Sequence, residues 1–101
     1  MSDAYQVELL PEERAKVAQL ARVNRLAVLI NSRCEDQEIQ IEVRKDKVSV
    51  DIYEVMKPFG QLERIRHFGH SGDTEFPNGG VDEAQRWLEG FAETIFRKEK
   101  T

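Results

Sequence analysis

The stretch EIQIEVRKDKVSVDIYEV, residues 38–55, constrains the fold more than any other part of the chain. Ile39, Ile41 and Val43 alternate with Gln40, Glu42 and Arg44, and Val48, Val50 and Ile52 alternate with Ser49, Asp51 and Tyr53. A period of two places all six aliphatic side chains on one face of an extended ribbon and the polar ones on the other. The pattern predicts two antiparallel strands joined through Arg44–Lys47, a polar RKDK turn whose lack of glycine leaves the turn type open. One apolar and one charged face is what a sheet covered by helices on a single side requires.

The flanking segments supply those helices. PEERAKVAQLARVNRLAVLINSR, residues 11–33, begins with Pro11 where a missing N–H costs nothing, followed by Glu12 and Glu13 at the positive end of the helix dipole. Leu20, Val23, Ala27 and Ile30 recur at helical spacing, with Val17, Leu26 and Leu29 widening the stripe. A competing reading ends the helix near Asn24 and makes RLAVLINS a buried strand; one long helix is favoured. At the other end, Val81, Ala84, Leu88, Phe91 and Ile95 form one stripe, flanked by Trp87, Ala92 and Phe96. Asp82 and Glu83 in the first turn and Arg97 and Lys98 in the last match the dipole.

Between hairpin and final helix, KPFG around Pro58 and Gly60 marks a break, and QLERIRHFGH reads as a third strand. Strict alternation puts Leu62 and Ile65 on opposite faces, which predicts a bulge or a late start. The connector GHSGDTEFPNGG reads as irregular structure. Tyr5, Val7 and Leu9 alternate and suggest a short strand ahead of the first helix. The expected architecture is a single α+β domain: a two-layer sandwich with a small antiparallel sheet of three strands, or four with that first one. An N-terminal and a C-terminal helix cover one face, in the order α-β-β-β-α.

This order resembles that of double-stranded RNA-binding domains. The resemblance is one of topology: where that family begins its second helix with a lysine-rich, phosphate-gripping motif, this chain reads NGGVDEAQ, with Asp82 and Glu83 in place of cations.

A chain of 101 residues with net charge −4 does not favour generic polyanion binding, which depends on clustered Lys and Arg. The single cysteine, Cys34, cannot form an internal disulfide, and no basic-then-apolar leader opens the chain, so a cytoplasmic location is expected. The longest apolar run, Leu26–Ile30, is too short to cross a bilayer.

Chemistry-bearing residues concentrate in RIRHFGHSGDTEFPNGG, residues 64–80. His67-x-x-His70 with Asp73 lacks the spacing that forces metal ligands to converge, and no metal or cofactor is assigned. Cys34, a histidine and Asp73 cannot be brought together from sequence, so no catalytic residue is assigned and a metal- or thiol-dependent enzyme ranks last. Arg64 and Arg66 alternate and are expected to share a face opposite Ile65; with Arg44, Lys45 and Lys47 they suggest a basic strip. That strip is either a nucleic-acid surface or a solvated face paired with Glu42, Asp51 and Glu63. Trp87 suits either a small core or an interface anchor. The candidate binding residues are therefore Arg64, Arg66, His67, Phe68, His70, Asp73, Phe76 and Trp87. The leading expectation is a small non-catalytic protein-interaction module, a regulator, adaptor or inhibitor of the kind phages and other mobile elements often carry. Two helices this apolar exceed what so small a sheet can cover, so a protein partner or a homodimer is expected.

Overall fold

The computed structural model describes residues 8–100. Pro11–Arg33 forms α1, Gln37–Arg44 β1, Lys47–Met56 β2, Gln61–Ser71 β3, Thr74–Glu75 β4 and Val81–Lys100 α2. The four strands lie in one antiparallel sheet in sequence order, β1-β2-β3-β4. It is an α+β fold with its helices at the two ends of the chain.

α1 runs unbroken through Asn24, because Val23, Ala27 and Ile30 are all buried and continue the same docking stripe on both sides of that position. Pro11 opens the helix, and the Glu13 carboxylate accepts the Leu10 N–H at 2.9 Å. At its other end the Cys34 N–H donates to the Ile30 carbonyl at 2.8 Å. The core joins these three residues to Ile39 of β1, Val50 and Ile52 of β2, Phe68 of β3, and Ala84, Leu88 and Ala92 of α2. The six alternating aliphatics of the hairpin thus do face the helices, although Val43 at its tip stays 60% exposed.

The fourth strand is not the one anticipated from the sequence. The proposed Tyr5–Leu9 strand falls largely outside the described residues; its last two, Glu8 and Leu9, take no regular structure. Strand β4 lies instead in the connector read as irregular. Ser71 pairs with Thr74 and His70 with Glu75 across a two-residue turn, Gly72-Asp73, in which Gly72 has φ +60°. That is the conformation a type II′ hairpin turn needs at its first central position. Backbone pairing of this kind needs no apolar side chain, so hydrophobic periodicity does not reveal it; the sequence signal is the Gly72-Asp73 pair itself.

α1 also guards the sheet. The Asn31 side-chain amide donates to the Ile39 carbonyl at 2.9 Å, and its oxygen accepts the Ile39 N–H at 2.8 Å, which closes the outer edge of β1 at that residue. Ile39 is buried, so Asn31→Ala strands a donor and an acceptor together. A loss of about 1–3 kcal/mol is expected in urea unfolding, with faster hydrogen exchange at the Ile39 amide.

Candidate functional site

The pairing of β2 with β3 shifts by one residue between Ile52 and Tyr53, so that Ile52 faces Arg66 and Tyr53 faces Arg64, with Ile65 left over as the bulge. This is the irregularity that Leu62 and Ile65 foretold. It also overturns the shared face of the two arginines. Arg66 points to the helix side, where its guanidinium lies 5.6 Å from the centre of the Trp87 ring. Arg64 points to the open face, with its Nη1 3.9 Å from the Asp51 carboxylate. An extra residue in one strand reverses every side chain beyond it, so no single basic strip runs along β3.

On the open face the bulge assembles a compact cluster. Asp51 and His67 are direct cross-strand partners, and the Asp51 carboxylate contacts Nδ1 of His67. Both are largely buried, with side chains 13% and 18% exposed. An acceptor-only carboxylate at Nδ1 favours a proton on that nitrogen. The ring stacks on Phe76 with centroids 3.8 Å apart and planes 19° from parallel. Asn78 holds this arrangement from behind: its side-chain oxygen accepts the His67 N–H at 2.6 Å, and its own N–H donates to the His67 carbonyl at 3.2 Å. The segment after β4 therefore binds β3 as a further strand would, and Gly69 continues the pattern by bonding to Gly79 and Phe76.

The other candidates separate from this cluster. Phe68 is 3% exposed and belongs to the core, where it meets Trp87 with centroids 6.5 Å apart. Trp87 is half-buried and stacks on Phe91 at 5.2 Å. His70, expected in the loop, lies within β3 on the side opposite His67, its Nδ1 3.2 Å from the Gly72 carbonyl. Asp73 occupies the exposed hairpin turn. The two histidines thus diverge, and among the described residues no group of three or more His, Cys, Asp or Glu side chains is placed to hold a metal. Cys34 caps α1 and packs against the core, whereas His67 sits beside Asp51 on the open face of the sheet. Among the described residues the hydrogen-bond partners of the His67 ring are Asp51 and Arg64, and the Asp51 carboxylate fixes the orientation of the ring.

Arg44 and Lys47 at the hairpin tip are both engaged by Glu42. Glu42 lies 3.0 Å from both Arg44 and Lys47, and the groove beside them, which Lys16 and Lys45 also line, carries Asp46, Asp73, Glu75, Asp82 and Glu83. The hydrogen bond from Lys47, reinforced by the charge of Arg44, holds the Glu42 carboxyl below its usual range against the opposing effect of burial. A depressed carboxyl contributes stability above the ordinary glutamate range and loses it as pH falls through the lowered value. Lys47→Ala is expected to move the Glu42 titration, followed by carboxyl NMR, back towards the usual range, with little change in overall stability because the pair is exposed.

Sequence reasoning missed an exposed apolar feature. Beyond the end of β1, β2 and β3 continue as a two-stranded arm, and every residue from Met56 to Arg66 is exposed. At its tip, Phe59 is 86% exposed; Met56, Leu62 and Ile65 are each 41% exposed. The signal was present in the apolar residues of VMKPFGQLERI, which fit neither face of the sheet. Compared with known protein families, curated proteins and solved structures, the chain matches none. Among the described residues no helix is long and apolar enough to cross a membrane.

Proposed function

We propose that this protein is a small non-catalytic interaction module of the cytoplasm, a regulator, adaptor or inhibitor that works by occupying a protein partner's surface and that also self-associates. The observation that supports this most is the projecting arm. An exposed aromatic tip, with Met56 on one face of the ribbon and Leu62 on the other, and charged Glu54, Lys57, Glu63 and Arg64 nearby, gives the arm apolar side chains accessible from both sides. The His67–Phe76 stack adjoins the arm through Arg64 and offers a second, rigid aromatic contact. Aromatic and arginine side chains on pre-organised backbone are where binding energy concentrates.

Affinity capture from the source lysate, with and without nuclease, tests this. The expected result is a stoichiometric protein partner that survives nuclease and is lost with Phe59→Ser, an exposed change that leaves folding intact. Nucleic acid recovered in its place, with affinity falling steeply with salt and abolished by Arg64→Glu, would overturn the reading in favour of polyanion binding. Capture unchanged by Phe59→Ser and by His67→Ala would remove the arm and cluster as the contact surface.

A further inference from the structure

The self-association part of that reading acquires a definite surface on the opposite flank of the molecule. β1 is an edge strand. Because Ile39 turns its N–H and carbonyl outward to Asn31, the alternation of the ladder turns those of Ile41 and Val43 outward as well. Unlike Ile39, these two are closed by no side chain among the described residues. An edge left open in this way pairs readily with another strand. Above it, the same helical flank that carries Asn31 carries Asn24, Val17, Val28 and Ala21, all exposed, with Val17 at 54% and Val28 at 60%. Their spacing of four, three, four and three residues from Val17 to Asn31 is that of a helix–helix seam.

We propose that two copies of the chain join along this flank about a two-fold axis, β1 pairing antiparallel with β1 and α1 packing antiparallel on α1. The stripe is self-complementary: an axis passing between Arg22 and Val23 sets Val17 against the partner's Val28 and Ala21 against the partner's Asn24. The same axis can be carried from the helix onto the strand. α1 runs antiparallel to β1, since Asn31 bonds Ile39 while Lys16 and Leu20 line a groove with Val43 and Arg44. From Asn31 back to the centre of the stripe is about 13 Å of helix. The same length of strand is about four residues, which carries the axis from Ile39 to Val43. A two-fold at Val43 confines the strand ladder to Glu42–Arg44, with Val43 against the partner's Val43 and Glu42 opposite the partner's Arg44, an attractive cross-strand pair. Centred one residue earlier, it would set Glu42 against the partner's Glu42. Charge and helix spacing therefore select one register, and a two-fold contact closes on itself without leading to filaments. No unrelated partner would need to present both the same stripe and the same edge at these spacings.

Sedimentation across micromolar to millimolar protein tests the proposal. The expected mass at the upper end is twice the chain's 11.7 kDa. Val17→Glu combined with Val28→Glu, both at exposed sites, should return the monomer with an unchanged circular dichroism spectrum. Arg44→Glu alone places two carboxylates opposite each other and should weaken the dimer about tenfold or more; adding Glu42→Arg should restore it. With Cys34→Ser, Val43→Cys should oxidise to a linked dimer, whereas Glu63→Cys should not. A monomer at every concentration overturns the proposal, as does a dimer indifferent to the Val17 and Val28 changes. A dimer dispersed only by Phe59→Ser would place self-association on the arm. Because partner capture is read through Phe59 and His67 on another face, either result leaves the interaction reading to stand or fall by its own test.

Discussion

Gly69→Ala is expected to cost about 4 kcal/mol or more, among the largest losses any single methyl group can cause in this chain. Gly69 has φ +115°, a region L-residues rarely enter, and an added Cβ would overlap the Val48 carbonyl oxygen and stand 2.9 Å from its carbon. The obstacle is backbone of the neighbouring strand and cannot rotate aside. Nor can Gly69 itself shift freely: its N–H is bonded to Gly79 and its carbonyl to Phe76 at 2.8 and 3.0 Å. Strain and overpacking therefore add, and relief of either pulls Phe76 away from His67. Urea unfolding should show a much lower midpoint, and NMR should show loss of the ring-current shift at His67. A midpoint change worth less than about 1 kcal/mol would mean that β3 yields where the packing says it cannot. Gly90→Ala is the matched control. It lies exposed in α2 with nothing within 4 Å of the added carbon, and it should stabilise by about 0.5–1 kcal/mol through helix propensity.

The second large effect is expected at Leu88, whose side chain is fully buried in the centre of the α2 stripe. Leu88→Ala removes three carbons facing α1 and the sheet together, and in so small a core the neighbours cannot close the gap. A loss of about 3 kcal/mol is expected, within the usual range for buried leucine. The slope of the urea transition should stay the same, since the surface exposed on unfolding is nearly unchanged. A cost near 1 kcal/mol would mean that α2 settles onto the sheet, and a change in the Trp87 fluorescence maximum would then report the movement.

What the sequence made legible follows from how each element is held. The β1–β2 hairpin and α2 show strict periods because each has one buried face, and the structure places both as read. α1 was ambiguous around Asn24 only because a short apolar run satisfies both periods; its burial at Val23, Ala27 and Ile30 resolves the matter. β4 left no trace in the hydrophobic pattern because its two residues pair by backbone alone, and its one signal was the turn pair Gly72-Asp73. The cluster was half legible. His67 and Phe76 stood out by residue type, but Asp51 becomes the partner of His67 only through a cross-strand register that no single-strand pattern encodes. The bulge at Ile65 was foreseeable as an irregularity and not as a position, and on that one residue depends whether Arg64 and Arg66 act together.

The sheet order, with each strand beside its neighbour in sequence, has a kinetic consequence. Nearly all strand pairing in this chain is local, so a meander can zip from the β1–β2 turn outward with little loop-closure cost. The contact most distant in sequence is α1 against α2, pinned by Arg22 and Glu89 at 2.6 Å. Docking of the two helices is then the step that closes the ends of the chain. Substitutions at the Arg22–Glu89 seam should change the unfolding rate far more than the folding rate, while substitutions at Val50 or Ile52 should slow folding itself.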